Sequence, residues 1–188
     1  MELVSPEFEF RTERLLLRPL TPADEKDLYK YQSLPDVVRY IPWPARTMQQ
    51  VHDALINALA NNRLSDEGDY ALLGVVLPST GQVIGQLSLM YRSREDQRAE
   101  IGYVIHPDFT GQGFATEACS ALVTLLFNTG KFHRIVAKID ARNSPSEAVA
   151  KKLGFRKEAH MIHEEYFKGE WTDTLIYAIL IDEWQSIH

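Results

Sequence analysis

Cysteine is almost missing from this chain. The single residue, Cys119, excludes an intrachain disulfide framework and a cysteine-built zinc site. Long apolar runs are missing too, since none approaches the roughly 20 residues a membrane-spanning helix needs. The N-terminal MELVSPEFEF has no basic segment followed by an apolar stretch, so it does not read as a secretory signal. These absences point to the cytoplasm and away from the membrane. Basic charge is in short supply as well: 20 Lys and Arg stand against 26 Asp and Glu. That balance speaks against a broad nucleic-acid footprint. It leaves room for a small anionic ligand, which the free N–H groups at a helix N-terminus can hold without net positive charge. No linker, repeat or low-complexity tract interrupts the 188 residues, so one domain is expected over 1–188, with its core from about 10 to 184.

What is present is an ordinary globular pattern of strands and helices. RLLLRPL (14–20) reads as a first strand. Thr21 and Pro22 then offer an N-cap and a first helical position for a helix to about Ser33. Three prolines between 34 and 46 leave a loop with room for one helical turn. Thr47 and Gln50 form a capping-box pattern opening a helix to about Asn62, with Val51, Leu55, Ala58 and Leu59 on its inner face. Strand patterns follow at 70–77, 83–91 and 98–105, joined by turns short enough for an antiparallel meander. A helix is expected over 114–128, ended by Gly130, then a strand over 133–141. Ser144, Pro145 and Glu147 read as N-cap, first-turn proline and capping-box glutamate of a helix that Gly154 stops. Two strands, 155–167 and 172–181, flank the turn KGEW. The order is β, α, α, three β, α, β, α, two β. It predicts an α/β (α+β) domain with a central, mostly antiparallel mixed sheet and about four helices. Regular β–α alternation, the mark of a doubly wound parallel sheet, is not there.

The most informative stretch is HPDFTGQGFATEA (106–118). A strand runs into a turn whose glycines, Gly111 and Gly113, stand just before a helix. Glycine lets backbone approach a ligand closely, and the first-turn N–H groups then face it. Ala115 is small where a bulky side chain would block the approach. A P-loop would need Lys followed by Ser or Thr after the last glycine, and neither is there, which disfavours a nucleotide hydrolase. A dinucleotide fingerprint would place Gly or Ala where Thr116 stands.

AEIGYVIHPDFTGQGFATEA (99–118) and NSPSEAVAKKLGF (143–155), with RTERLLLRPLTPAD (11–24), resemble the GNAT acetyltransferase superfamily and its RimJ/RimL-type branch over nearly the whole chain. The family's acetyl-CoA signature is Gln/Arg-x-x-Gly-x-Gly/Ala. Gly113 and Ala115 match its last two positions. Thr110 stands at the Gln/Arg position, where a backbone amide would have to serve. The resemblance implies acetyl-CoA as acyl donor, with the CoA diphosphate held by backbone amides of Gly111, Gln112, Gly113, Phe114 and Ala115. It also implies that the fourth strand, ending at Val104 and Ile105, splays from the fifth, which starts near Ile135. The pantetheine would pair with strand backbone in that opening. Asn143 corresponds to a cofactor contact near the pantetheine, and Ser146 to a hydroxyl that contacts the cofactor or protonates the leaving thiolate.

Amine acylation requires a neutral amine to attack a thioester, hence a proton acceptor, and a donor for the oxyanion. Glu100, in the strand leading into the glycine turn, resembles the strand glutamate that some GNAT enzymes use through water. Alternation places Glu100 with Gly102 on one face, and Ala99, Ile101 and Tyr103 on the other. Tyr103, Tyr166, Trp171 and Asp173 are candidates for shaping the acceptor pocket. His160 and His163 are expected on opposite sides of a strand, so no metal pair is expected. Cys119 is expected in the core rather than as a nucleophile. The reading is therefore direct acyl transfer in a ternary complex, from an acyl-CoA to a primary amine, either a small molecule or a protein N-terminus. A homodimer is expected. A non-catalytic acyl-CoA-binding module on the same fold is the competing reading.

Overall fold

The computed structural model describes residue 5 and residues 7–187; the N-terminal residues 1–4 and 6, part of the segment read above as no signal, lie outside them. The elements, in chain order, are β1 (Phe10–Arg11), β2 (Leu16–Pro19), α1 (Glu25–Gln32), α2 (Pro35–Val38), α3 (Met48–Asn61), β3 (Tyr70–Val76), β4 (Val83–Ser93), β5 (Arg98–Ile105), α4 (Phe114–Asn128), β6 (Arg134–Asp140), α5 (Ser144–Lys152), β7 (Arg156–Phe167), β8 (Glu170–Leu180) and α6 (Ile181–Ile187). No helix among the described residues is long and apolar enough to cross a membrane.

Local chemistry accounts for most boundaries. Thr47 Oγ1 accepts from the Gln50 N–H and Gln50 Oε1 accepts from the Thr47 N–H, so the capping box forms and starts α3. At Thr21 the same device uses Asp24, whose carboxylate accepts the Thr21 N–H at 2.7 Å; a 3-10 turn over Pro22–Asp24 then leads into α1. Gly130 and Gly154 end α4 and α5 with left-handed backbone, φ +69° and +80°. One helix start differs from expectation. Asn143, not Ser144, caps α5, its Oδ1 accepting the Ser146 N–H at 3.2 Å. Ser144 and Pro145 occupy the first turn, and Glu147 accepts from the Tyr177 hydroxyl instead of closing a capping box.

The sheet has the order β1-β2-β3-β4-β5-β6-β8-β7. Every neighbouring pair is antiparallel except β5 with β6. One face packs on α4, whose Cys119, Leu122, Val123 and Leu126 are fully enclosed. The other face is covered by α1 and α3 through Leu28, Tyr31, Val51 and Leu55. Truncating any one of these leucines to alanine costs about 2–5 kcal/mol, a large part of the stability of such a chain. The sheet is therefore a rigid floor between two apolar layers.

The parallel pair is the defect in that floor. β5 and β6 pair only at Arg98↔Arg134, Ala99↔Ile135 and Glu100↔Val136. Beyond Glu100 each strand follows its other neighbour: β5 stays with β4 to Ile105, and β6 stays with β8 to Asp140. The two therefore part into a V. α6 was not foreseen; Trp184 is buried and packs against Phe127 of α4.

Candidate active site

The glycine turn delivers what its residues promised. Gly111 and Gly113 both adopt left-handed backbone, φ +74° and +84°, which a side chain would strain. The first paired amide of α4 beyond the turn is Glu117, which bonds the Gly113 carbonyl. Among the described residues, the N–H groups of Gly111, Gln112, Gly113, Phe114, Ala115 and Thr116 have no acceptor. Six consecutive free donors at the positive end of a helix dipole form an anion cradle. Thr110 contributes nothing to it: its N–H and Oγ1 both bond the Pro107 carbonyl, at 3.0 and 2.8 Å. The Gln112 side chain likewise turns back to the Asp108 carbonyl at 2.9 Å.

Arg14, which the sequence reading passed over, flanks the turn. Its Nη1 donates to the Gln112 carbonyl at 3.0 Å, its Nε to Glu117 Oε2 at 2.7 Å, and its guanidinium lies 4.5 Å from the centre of the Phe114 ring. Burial would raise the Glu117 carboxyl, but hydrogen bonds from Thr12 and Arg14 outweigh it and hold that group below the ordinary range. The N-terminal segment is thereby stitched to the first turn of α4.

Beside the turn lies a cleft of about 470 Å³ walled by Tyr103, Val104, Ile105, Gly111, Gly113, Ala115, Asn143 and Ser146 among others. It runs along the free edge of β5. The His106 N–H bonds the Ile84 carbonyl, so ladder alternation turns the backbone groups of Val104 and Gly102 toward β4. Those of Tyr103 and Ile105 face the opening, where β6 has already departed. Tyr103 and Ile105 thus present backbone donors and acceptors to the cleft, while the Val104 side chain packs on the α1–α3 face.

A second cleft, also about 470 Å³, opens on the α1–α3 side of the same V. Gln86, Ser88, Met90 and Arg92 of β4 face into it beside Glu100, Gly102 and Val104 of β5, as their cross-strand register requires. Glu100 is buried and its Oε2 accepts from Arg92 Nε at 2.9 Å; Oε1 has no partner among the described residues. The two clefts share Ile41, Tyr103, Val104, Asn143 and Ser146. At that junction the Tyr103 hydroxyl donates to the Ser146 carbonyl at 3.0 Å, and burial pushes its ionisation far up, so it stays protonated. The roof of the second cleft is the segment after α2, where Lys168 Nζ of the β7–β8 turn donates to the Val38 and Trp43 carbonyls at 2.5 and 3.2 Å.

Three of the expected pocket residues lie elsewhere. Tyr166 and Trp171 are exposed and stack edge-on with ring centres 5.5 Å apart, and Asp173 pairs with His160 at 2.8 Å; none of them lines either cleft. The reason is phase. Glu165↔Thr172 and Thr174 take the cleft face of the hairpin, so Tyr166↔Trp171 and Asp173 take the opposite one. A bulge between Met161 and Glu165 interrupts the pairing beside His160 and His163, where the His163 N–H and the His160 ring both bond Asp173. Among the described residues no cluster could hold a metal ion. Cys119 is fully buried in the core and its thiol is pushed far up by burial, which leaves no thiolate to act as nucleophile.

Comparison with known proteins places this geometry. A family model described as "Acetyltransferase (GNAT) domain" matches residues 14–156. "Uncharacterized N-acetyltransferase p20" of Bacillus licheniformis is 33% identical over 174 residues, covering 92% of this chain and 96% of that one. The ribosomal-protein-serine acetyltransferase of Escherichia coli (strain K12) is 29% identical over 140 residues, covering 74% and 76%. A solved GNAT-family acetyltransferase from Bacillus anthracis superposes with a TM-score of 0.81 at 28% identity, covering 92% of this chain and 98% of that one. With an amide cradle, a parted strand pair and a match over most of its length, the chain belongs to the GNAT family, as an acetyl-CoA-dependent N-acetyltransferase.

Proposed function

We propose that this enzyme transfers the acetyl group directly to a primary amine in a ternary complex, with donor and acceptor entering from the two clefts that meet at the V. The observation that carries this reading is the continuity of six free amides, a free strand edge and a second cleft bearing a buried carboxylate. The cradle amides bind the diphosphate of CoA, and the Tyr103 and Ile105 backbone pairs with the amides of the pantetheine. That lays the thioester at the apex of the V, near Glu100 and Gly102.

The amine reaches the apex through the second cleft. Glu100 Oε1 takes its proton through a water, and the freed nitrogen attacks the thioester carbon. The C–N bond forms, the C–S bond breaks with its electron pair leaving on sulfur, and the second proton shed by the nitrogen passes to that thiolate. The Ser146 hydroxyl stands at the junction to donate a hydrogen bond to that sulfur, and the Tyr103 phenol does so only by turning from the Ser146 carbonyl to which it donates. Asn143 lines the same junction while it caps α5. The similarity to a ribosomal-protein-serine acetyltransferase supports an amine carried by a protein as acceptor. With Cys119 enclosed, a covalent acyl-enzyme on that residue has no support.

The test is Glu100→Gln, followed by release of free CoA thiol across a panel of amines and peptides. The expected result is a fall in kcat of about 10²–10⁴-fold with acetyl-CoA affinity unchanged. Normal turnover at every pH from 6 to 9 would remove Glu100 from the mechanism.

A further inference from the structure

The wall of the second cleft holds a polar relay that the transfer chemistry does not use. Arg46 Nη1 donates to Gln32 Oε1 at 2.8 Å. Gln32 Nε2 donates to Gln86 Oε1 at 2.9 Å, and the Tyr31 hydroxyl donates to the same oxygen at 3.0 Å. A guanidinium has no acceptor, so Arg46 fixes which end of Gln32 it meets, and Gln32 in turn fixes Gln86. The order runs one way, from Arg46 inward. Gln86 Nε2 is what remains at its end.

Gln86 is 8% exposed, and its Nε2 has no acceptor among the described residues. No fully enclosed side-chain nitrogen or oxygen among them lacks a partner, so this one opens on the cleft that Gln86 lines. Its neighbours along the face are Ser88, one pair nearer the apex, and then Met90, opposite Glu100. A nine-tenths-buried amide with its oxygen doubly committed and its nitrogen turned to the cleft is a donor awaiting an acceptor.

We propose that Gln86 Nε2 selects the amine substrate by donating to a carbonyl oxygen carried next to the reactive nitrogen. It would thus favour α-amines of amino-acid amides and peptides over diamines that carry no such oxygen. This rests on the second cleft being the acceptor site. Arg46 and Gln32 act as positioning residues, since without them the Gln86 amide could turn over and present its oxygen. A diamine in the cleft leaves the donor dry and unpaired, which disfavours it by about tenfold or more.

The experiment compares thiol release from acetyl-CoA with a tripeptide bearing a free α-amine and with a diamine of similar length. Wild type is expected to prefer the peptide. Gln86→Glu keeps an oxygen for Tyr31 and Gln32 but has no N–H. Its peptide-to-diamine ratio of kcat/KM should fall about tenfold or more, chiefly through the peptide KM, with the KM for acetyl-CoA unchanged. Gln86→Leu brings no charge into the cleft and must shift the ratio in the same direction. It will melt earlier, but the ratio compares two acceptors on one protein and cancels the active fraction. An unchanged ratio in both variants, or a wild type that prefers the diamine, overturns the role of Gln86. Tight acetyl-CoA binding with no turnover of either amine would instead sink the acceptor-site reading, and this proposal with it.

Discussion

Gly85 faces Ile105 across β4 and β5, at the end of the strand whose free edge borders the proposed donor cleft. A methyl group built there would lie 2.4 Å from the Val104 carbonyl oxygen, 2.7 Å from Ile105 Cδ1 and 3.2 Å from Ile105 Cα. Ile105 Cδ1 is the tip of a flexible side chain and can rotate away. The Val104 oxygen is backbone, committed to the β4 ladder, and cannot. A tolerable C···O approach is about 3.3 Å, so Gly85→Ala must drive the end of β5 back by roughly 0.9 Å. Forced shifts of this kind cost about 1–3 kcal/mol. For a chain of this length each kcal/mol lowers Tm by about 2–4 °C, which gives a fall of about 2–12 °C in a thermal melt. The same shift misplaces the Ile105 backbone, so Kd for acetyl-CoA, read by titration calorimetry, should rise about tenfold, a loss of about 1.4 kcal/mol. Gly102→Ala is the control for the melt alone: its methyl meets only Ser88 Oγ, at 2.6 Å, and a hydroxymethyl can rotate. A Gly85→Ala protein that melts and binds like wild type would refute the claim that this close approach holds the edge of the donor cleft in place.

Asp24 is buried and receives both guanidinium nitrogens of Arg18, at 2.7 and 2.8 Å, and the Thr21 N–H. Burial alone would raise its carboxyl, but these bonds outweigh burial and hold it below the ordinary range. Its contribution is therefore complete above the unfolded value near 4 and is lost as pH falls through the lower folded value. Asp24→Asn should cost about 3 kcal/mol at pH 7, and the gap in Tm to wild type should narrow below about pH 4; a gap constant down to pH 2 would contradict this. Tyr103→Phe removes the hydroxyl at the junction and one hydrogen bond worth about 1 kcal/mol of stability. If the phenol serves the departing sulfur, kcat falls about tenfold or more while KM for acetyl-CoA holds; a stability loss with unchanged kcat would make it a structural contact only.

Much of the donor side was legible in the sequence because it is built from local chemistry. Gly111 and Gly113 before an apolar helix specify a turn with free amides, and strand–turn–helix order places it at the end of β5. The splay was legible only through family resemblance, since nothing local in Ile101 or Ala137 says that their strands part. The cap of α5 was misplaced by one residue because Asn143 and Ser144 are both good caps, and Pro145 fits either of the first two helical positions. The phase of the β7–β8 hairpin was not legible. Tyr166 and Trp171 looked like pocket aromatics, but the phase of a hairpin depends on its pairing, and a bulge at Met161 to Glu165 resets it. Gln86 gave no signal at all. A glutamine in a strand is unremarkable until Gln32 and Arg46, more than 30 residues away in sequence, are brought against it.

In the proposed complex the amides of residues 111–116 and the free edge of β5 hold the donor. Amide hydrogen exchange with and without acetyl-CoA measures this directly, because those N–H groups have no acceptor among the described residues. Acetyl-CoA is expected to slow exchange most at 111–116, and next at Tyr103 and Ile105. Saturating binding that leaves those amides exchanging at their unliganded rates would contradict it.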